Sequence, residues 1–184
     1  MNKSIITYLM AFLISLFFIS CSNEKIKPDV DLTIDEENTP TIESWNAKIF
    51  FTENGNLRAI LYTDHLEAFD NPKEKLLKNL KVEFFNKRGS KTTQLTSERG
   101  RIDDITQDMY AYDNVVAIND SSKVRLETNE LMWRKVDEKI VSDKFVRITS
   151  PDEIIEGFGL VSDQHIRNYE IKNVTYQTTN TNVK

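Results

Sequence analysis

Scarcity marks this sequence before any motif does. Its 184 residues hold one cysteine, Cys21, with four prolines, five glycines, two histidines and two tryptophans. A lone cysteine excludes an internal disulfide. His65 and His165 lie far apart in the chain with no cysteine or further histidine beside either, which argues against a zinc site, and no metal ligand set is expected. Gly157-Phe158-Gly159 has neither a third glycine nor a following helix, so it is not a nucleotide-binding loop. No nucleophile, base and orienting group fall together, and Asp103-Asp104 stands at an expected turn, where aspartate is ordinary. The chain is therefore read as a non-enzyme without a cofactor. A formal charge of −5 and the lack of a basic stripe disfavour nucleic acid as a partner.

Only one long apolar run is present, Ile5 to Ile19, behind the cationic start Met1-Asn2-Lys3. It falls short of the roughly 20 residues that span a bilayer core, and a secretory signal has this length and flank. Residues 1–20 are expected to be a signal peptide. Phe18-Ile19-Ser20-Cys21 resembles a bacterial lipobox, which makes Cys21 the expected lipid anchor; an uncleaved membrane anchor is the alternative, and either one tethers the chain to a membrane. Residues 21–44 are polar, carry Pro28, Pro40 and the acidic run Asp35-Glu36-Glu37, and read as a flexible tether. With Lys3 the only charge lost on removing residues 1–21, 23 basic residues remain against 29 acidic ones. Residues 178–184 are expected to be a frayed, disordered tail.

Between Trp45 and Tyr176 the apolar residues alternate, as in Ala47, Ile49, Phe51 and again Leu57, Ala59, Leu61. Period two predicts strands. Asn54-Gly55 between these runs is a strong hairpin signal, since both residues tolerate positive φ. Turn clusters follow at Lys87 to Ser90, Asp103-Asp104, Asp120 to Ser122, Val136-Asp137, Pro151-Asp152 and Ser162-Asp163. The stretch Asn71 to Leu80 could form a short helix, but its likeness to two other segments favours a strand.

Those segments are 74–85, 107–118 and 137–148, the last shifted by one residue. They align Val82 with Val115 and Val146, and Phe84 with Ala117 and Ile148. A second strand opens at Leu61, Leu95, Leu126 and Ile155, so strand, turn and strand recur about every 32 residues. Such pairs cannot bury an apolar face alone. Stacked, they predict an all-β domain over 45–177: an elongated, open β-jellyroll or taco of two facing antiparallel sheets. The repeat argues against a closed barrel.

SWNAKIFF, LTSERGRID followed by NVV, LETNELMWRKVDEKIVSDKFVRI and IEGFGLVSD, in this order, resemble the LptC family, in its lipoprotein form. The resemblance spans about residues 44–177. It implies an OstA/LptA-like fold and a periplasmic component of lipopolysaccharide export, held at the inner membrane. The family implies that such a protein takes lipopolysaccharide from an inner-membrane ABC transporter complex and passes it to a periplasmic bridge protein of the LptA type.

Strand parity nominates Ile49, Phe51, Leu61, Val82, Phe84, Leu95, Val115, Ala117, Leu126, Val146 and Ile148 as the inward row of an acyl-chain trough. For any one of them, ordinary core packing outweighs direct lipid contact, because sheet interiors are apolar throughout and only some positions line an opening. An open sheet also has free edges. The resemblance implies that Ala47 and Ile49 lie on the edge facing the transporter, and Tyr169, Ile171, Val174 and Tyr176 on the edge facing the bridge, by β-augmentation. Gly157 and Gly159 are expected to serve a bulge or a close backbone approach. The rival reading is a surface or periplasmic β-sandwich lipoprotein that binds a glycan or a hydrophobic ligand.

Overall fold

The computed structural model describes residues 39–179, all of whose regular structure is β. The strands are β1 (Ile42–Glu53), β2 (Asn56–Asp70), β3 (Lys73–Phe85), β4 (Lys91–Asp103), β5 (Met109–Asn119), β6 (Arg125–Arg134), β7 (Lys139–Thr149), β8 (Glu153–Asp163) and β9 (Tyr169–Thr179). The signal peptide, Cys21, most of the tether and the end of the tail lie outside the described residues. β1 begins ahead of Trp45 and β9 runs to Thr179, so the strand region slightly exceeds 45–177 at both ends. The ambiguous stretch Asn71 to Leu80 becomes a turn and the first half of β3.

All nine strands form one antiparallel sheet in the order β1 to β9, each pairing only with its chain neighbours. The expected pair of facing sheets is thus a single open meander whose two halves face each other. A line of irregularities across every strand makes this possible. The ladders are interrupted at Asn46 and Asp64, at Asn79 and Glu98, at Asp113 and Asn114, at Asn129, and at Asp143 and Lys144. Asn46, Asn79, Asp113, Asn114 and Gly159 have φ between 49° and 79°. Asn, Asp and Gly accept this left-handed geometry most readily. Polar, turn-tolerant residues in mid-strand therefore mark a fold line.

Crossing that line changes which side chains face inward. In β3 Leu77 is buried before Asn79, whereas Leu80 and Val82 are buried after it. In β5 two residues occupy the line, so Ala111 and Val115 keep one parity. This difference corrects the repeat alignment. Val82 pairs with Leu95 and shares a cross-strand row with Ala117 and Ile148, rather than with Val115 and Val146.

Backbone groups freed at the line are met by buried hydroxyls. Thr63 Oγ1 lies 2.7 Å from the carbonyl oxygen of Lys78 and 2.9 Å from that of His65. Thr128 Oγ1 donates to Phe145 O at 2.8 Å and Ser142 Oγ to Glu130 O at 2.7 Å. Small hydroxyl side chains fit here because each can turn its one proton toward an unpaired carbonyl. The core between the halves is a continuous apolar cluster from Ala59 to Ile166.

Candidate functional site

Two apolar walls face each other across the fold line. The first carries the row Ile49, Leu61, Val82, Leu95, Ala117, Leu126 and Ile148, paired strand to strand. The second carries Leu66, Leu77, Gly100, Ala111 and Leu131, and beside it Ile102, Met109, Trp133 and Ile140. Between them, toward the β1 side, lies a cavity of about 420 Å³. That volume falls in the range of about 300–1,000 Å³ usual for ligand sites. Its lining includes Phe51, Ala59, Leu61, Val82, Phe84 and Leu95 from the first wall, Leu77, Ile102, Met109, Ala111, Leu131, Trp133 and Ile140 from the second, and the polar side chains of Thr52, Arg101 and Tyr110. Charged and amide side chains stand at its rim: Glu53 and Arg58 at the β1–β2 turn, Lys135 and Glu138 in the β6–β7 turn, then Gln107 and Gln164.

Of the eleven nominated trough residues, Phe51, Leu61, Val82, Phe84 and Leu95 line this cavity. Ile49 packs against the core from β1. Val115, Ala117, Leu126, Val146 and Ile148 are 0–1% exposed and belong to the closed part of the interior. All eleven sit on the first wall. The second wall was not nominated: the alternation was followed on one side of the fold line only, and in β2, β3, β4 and β6 the inward parity changes there. Asn46, Asn79, Asn114 and Asn129, recurring in mid-strand, were the signal that could have revealed it.

The closed part is capped by the β8–β9 loop. Asp163 organises that loop, its carboxylate accepting from the backbone N–H groups of His165, Arg167 and Asn168 at 2.8–3.2 Å. Burial alone would raise this carboxyl, but those donors outweigh it and hold it below the ordinary carboxylate value. The loop reaches the opposite wall: Asn119 Nδ2 donates to His165 O, and Thr92 Oγ1 lies 3.1 Å from His165 Nδ1. Ile166 is 0% exposed and enters the core with φ 52°, a conformation rare for a β-branched residue. Burial, then the charge of Arg167, depress the His165 pKa; Asp163 opposes them and Arg58 adds to them. Neither Asn119 nor Ile166 was nominated from sequence, where only the turn at Asp120 to Ser122 is read beside Asn119.

β1 and β9 are the two sheet edges, each paired on one side. Ala47, Ile49, Tyr169 and Ile171 pack against the core, whereas Val174 and Tyr176 are half exposed. Gly157 lies against β9: a Cβ there would come within 2.3 Å of Asn173 O and 2.9 Å of Val174 Cα. Gly159 has φ 79° on the fold line. On the outer face, strand pairing brings Glu43 of β1 beside His65 and Glu67 of β2, with side-chain N and O atoms within 4.8 Å of one another. Glu43 Oε1 already occupies His65 Nε2 at 2.8 Å, and Trp45 stacks on the ring.

An apolar cleft with a polar rim inside an open sheet can hold an amphiphile by burial. No curated protein matches the chain. A family model does: the one described as "Lipopolysaccharide-assembly, LptC-related" matches residues 7–179. With nearly all of its length matched and its nine strands in one open sheet, the chain belongs to the LptC-related family, a periplasmic transport component of inner-membrane-anchored lipopolysaccharide export.

Proposed function

We propose that this chain accepts lipopolysaccharide from an inner-membrane ABC transporter complex into the cleft between its two walls and passes it to a periplasmic bridge protein of the LptA type. The observation that carries the reading is the apolar cavity beside β1, open at a charged rim, in a sheet with two free edges. Acyl chains enter between Phe51, Val82 and Phe84 on one wall and Met109 and Leu131 on the other. Each buried methylene contributes about 0.8 kcal/mol. Undirected contact of this kind holds cargo without locking it in one position. Cys21, lipidated, keeps the domain at the membrane from which the cargo comes.

The edges supply the partners. β1, with Ala47 and Ile49, faces the transporter, and β9, from Tyr169 through Ile171 and Val174 to Tyr176, adds to the sheet of the bridge protein by β-augmentation. Continuity of the sheet from one protein to the next carries the apolar interior across the junction.

Photo-crosslinkers placed singly at Val82, Met109 and Leu131 in living cells test the reading. ATP-dependent lipopolysaccharide adducts are expected at all three, with none at the outward positions Glu83 and Arg147. Adducts confined to the outward positions would overturn it.

A further inference from the structure

The cavity and the β9 edge do not meet. Strands β1 to β7 line the cavity, whereas toward β9 the interior is filled, with Leu126, Val146 and Ile148 at 0% exposure and Leu160 at 1%. The β8–β9 loop marks the boundary, and three consecutive residues make it. Gln164 lines the cavity, His165 bonds to the opposite wall, and Ile166 fills the interior at 0% exposure. Apolar cargo passing from the cavity to β9 has to displace this loop.

The loop is held more by itself than by the wall it reaches. The Asp163 carboxylate takes up the backbone N–H groups of His165, Arg167 and Asn168 and the side-chain amide of Asn168, and the Asp163 backbone bonds to Ile166 and Asn168. Among the described residues, the hydrogen bonds across the mouth all fall on His165: its carbonyl accepts from Asn119 Nδ2, and its Nδ1 lies 3.1 Å from Thr92 Oγ1. Ile166 enters the core at φ 52°, a backbone conformation that works against a β-branched residue. A segment with many internal bonds, few bonds outward and a strained residue at its point of insertion can lift as one piece.

We infer that the β8–β9 loop is a latch on the path of the cargo: it holds the β9 half of the interior shut while the cavity is empty, and an acyl chain advancing from the cavity takes the place of the Ile166 side chain. The inference rests on the proposed function and adds to it the step that regulates delivery. Replacing one apolar occupant by another keeps the interior filled throughout. Only the bonds to Asn119 and Thr92 break, and the Ile166 backbone relaxes as it leaves.

The test follows maleimide labelling of thiols in the full chain, with lipid A in detergent micelles against empty micelles, and peptide mass separates each site from Cys21. Three variants are read singly: Met109→Cys in the cavity lining, Ile166→Cys on the loop and Leu126→Cys in the filled interior. Lipid A is expected to slow labelling at position 109, to quicken it about tenfold at position 166 and to leave position 126 slow. Adding Thr92→Val to Ile166→Cys, which removes one bond of the latch and keeps the side-chain shape, is expected to quicken position 166 about three- to tenfold without lipid. Where Ile166→Cys by itself loosens the loop, solvent paramagnetic relaxation of the Ile166 methyl groups in the unsubstituted chain reads the same opening. Slowing at position 109 with an unchanged or slower rate at position 166 overturns the latch and leaves the cleft intact. Equal quickening at positions 126 and 166 is general unfolding and overturns the latch as well. No change at position 109 overturns the cleft reading together with this inference.

Discussion

Gly157 shows how one missing side chain positions an edge. It lies on the inward side of β8, where β9 passes so close that an added Cβ would collide with the backbone of Asn173 and Val174. Backbone cannot yield as a long side chain can, so Gly157→Ala is expected to cost about 1–3 kcal/mol. Denaturant unfolding measures the loss, and amide exchange should quicken in β9 before other strands. Thr63, Thr128 and Ser142 are the polar counterpart. The hydroxyls of Thr128 and Ser142 satisfy carbonyls that the bend removes from the β6–β7 ladder, and that of Thr63 meets the Lys78 carbonyl beside the line, which explains why the interior carries them there. The inward face of the strand halves that form the first wall was legible from alternation. The need for glycine at 157 was legible only as a bulge or close approach, because the approaching atoms come from a strand that follows it.

At the scale of elements, the β8–β9 loop is the least expected feature. It joins the walls through Asn119, Thr92 and the buried Ile166, and so limits the open cavity to the β1 side. Its stability should depend on pH through His165. Burial holds the folded pKa below the ordinary value of 6.5, so the unfolded chain binds the proton more readily. The stabilisation from neutral His165 is complete above 6.5 and is lost as pH falls from there through the folded value. Arg167 and Arg58 work in that direction, while Asp163 opposes them. Lowering pH from 7.5 to 5.5 is expected to reduce the amide-exchange protection factors of residues 163–168, taken against the intrinsic rate at each pH, ahead of those of the strands. In His165→Gln, which cannot take up the proton, this pH response should vanish. No pattern in residues 163–168 announces the cap; it exists because Asn119 and Thr92 come from strands far away in sequence.

At the scale of the whole molecule, the meander order separates acceptance from delivery. β9 pairs with β8 alone, and the cavity is lined from β1 to β7 with Gln164 of the β8–β9 loop. A chain ending at Asn168 is expected to keep its β-sheet circular dichroism and its lipopolysaccharide adducts at Val82 and Met109, yet to lose copurification with the bridge protein. Retained copurification would show that β9 is not the delivering edge. The sequence by itself determined the all-β class, the strand pairs, most turns and the first wall, because alternation and turn chemistry act between near neighbours. Only the tertiary structure decided that the two layers are halves of one sheet, that the inward parity switches at the fold line in β2, β3, β4 and β6 but not in β5 and β7, and that a second wall faces the first. Those facts depend on the bends of successive strands falling into register, and register is a relation between strands that no single strand contains.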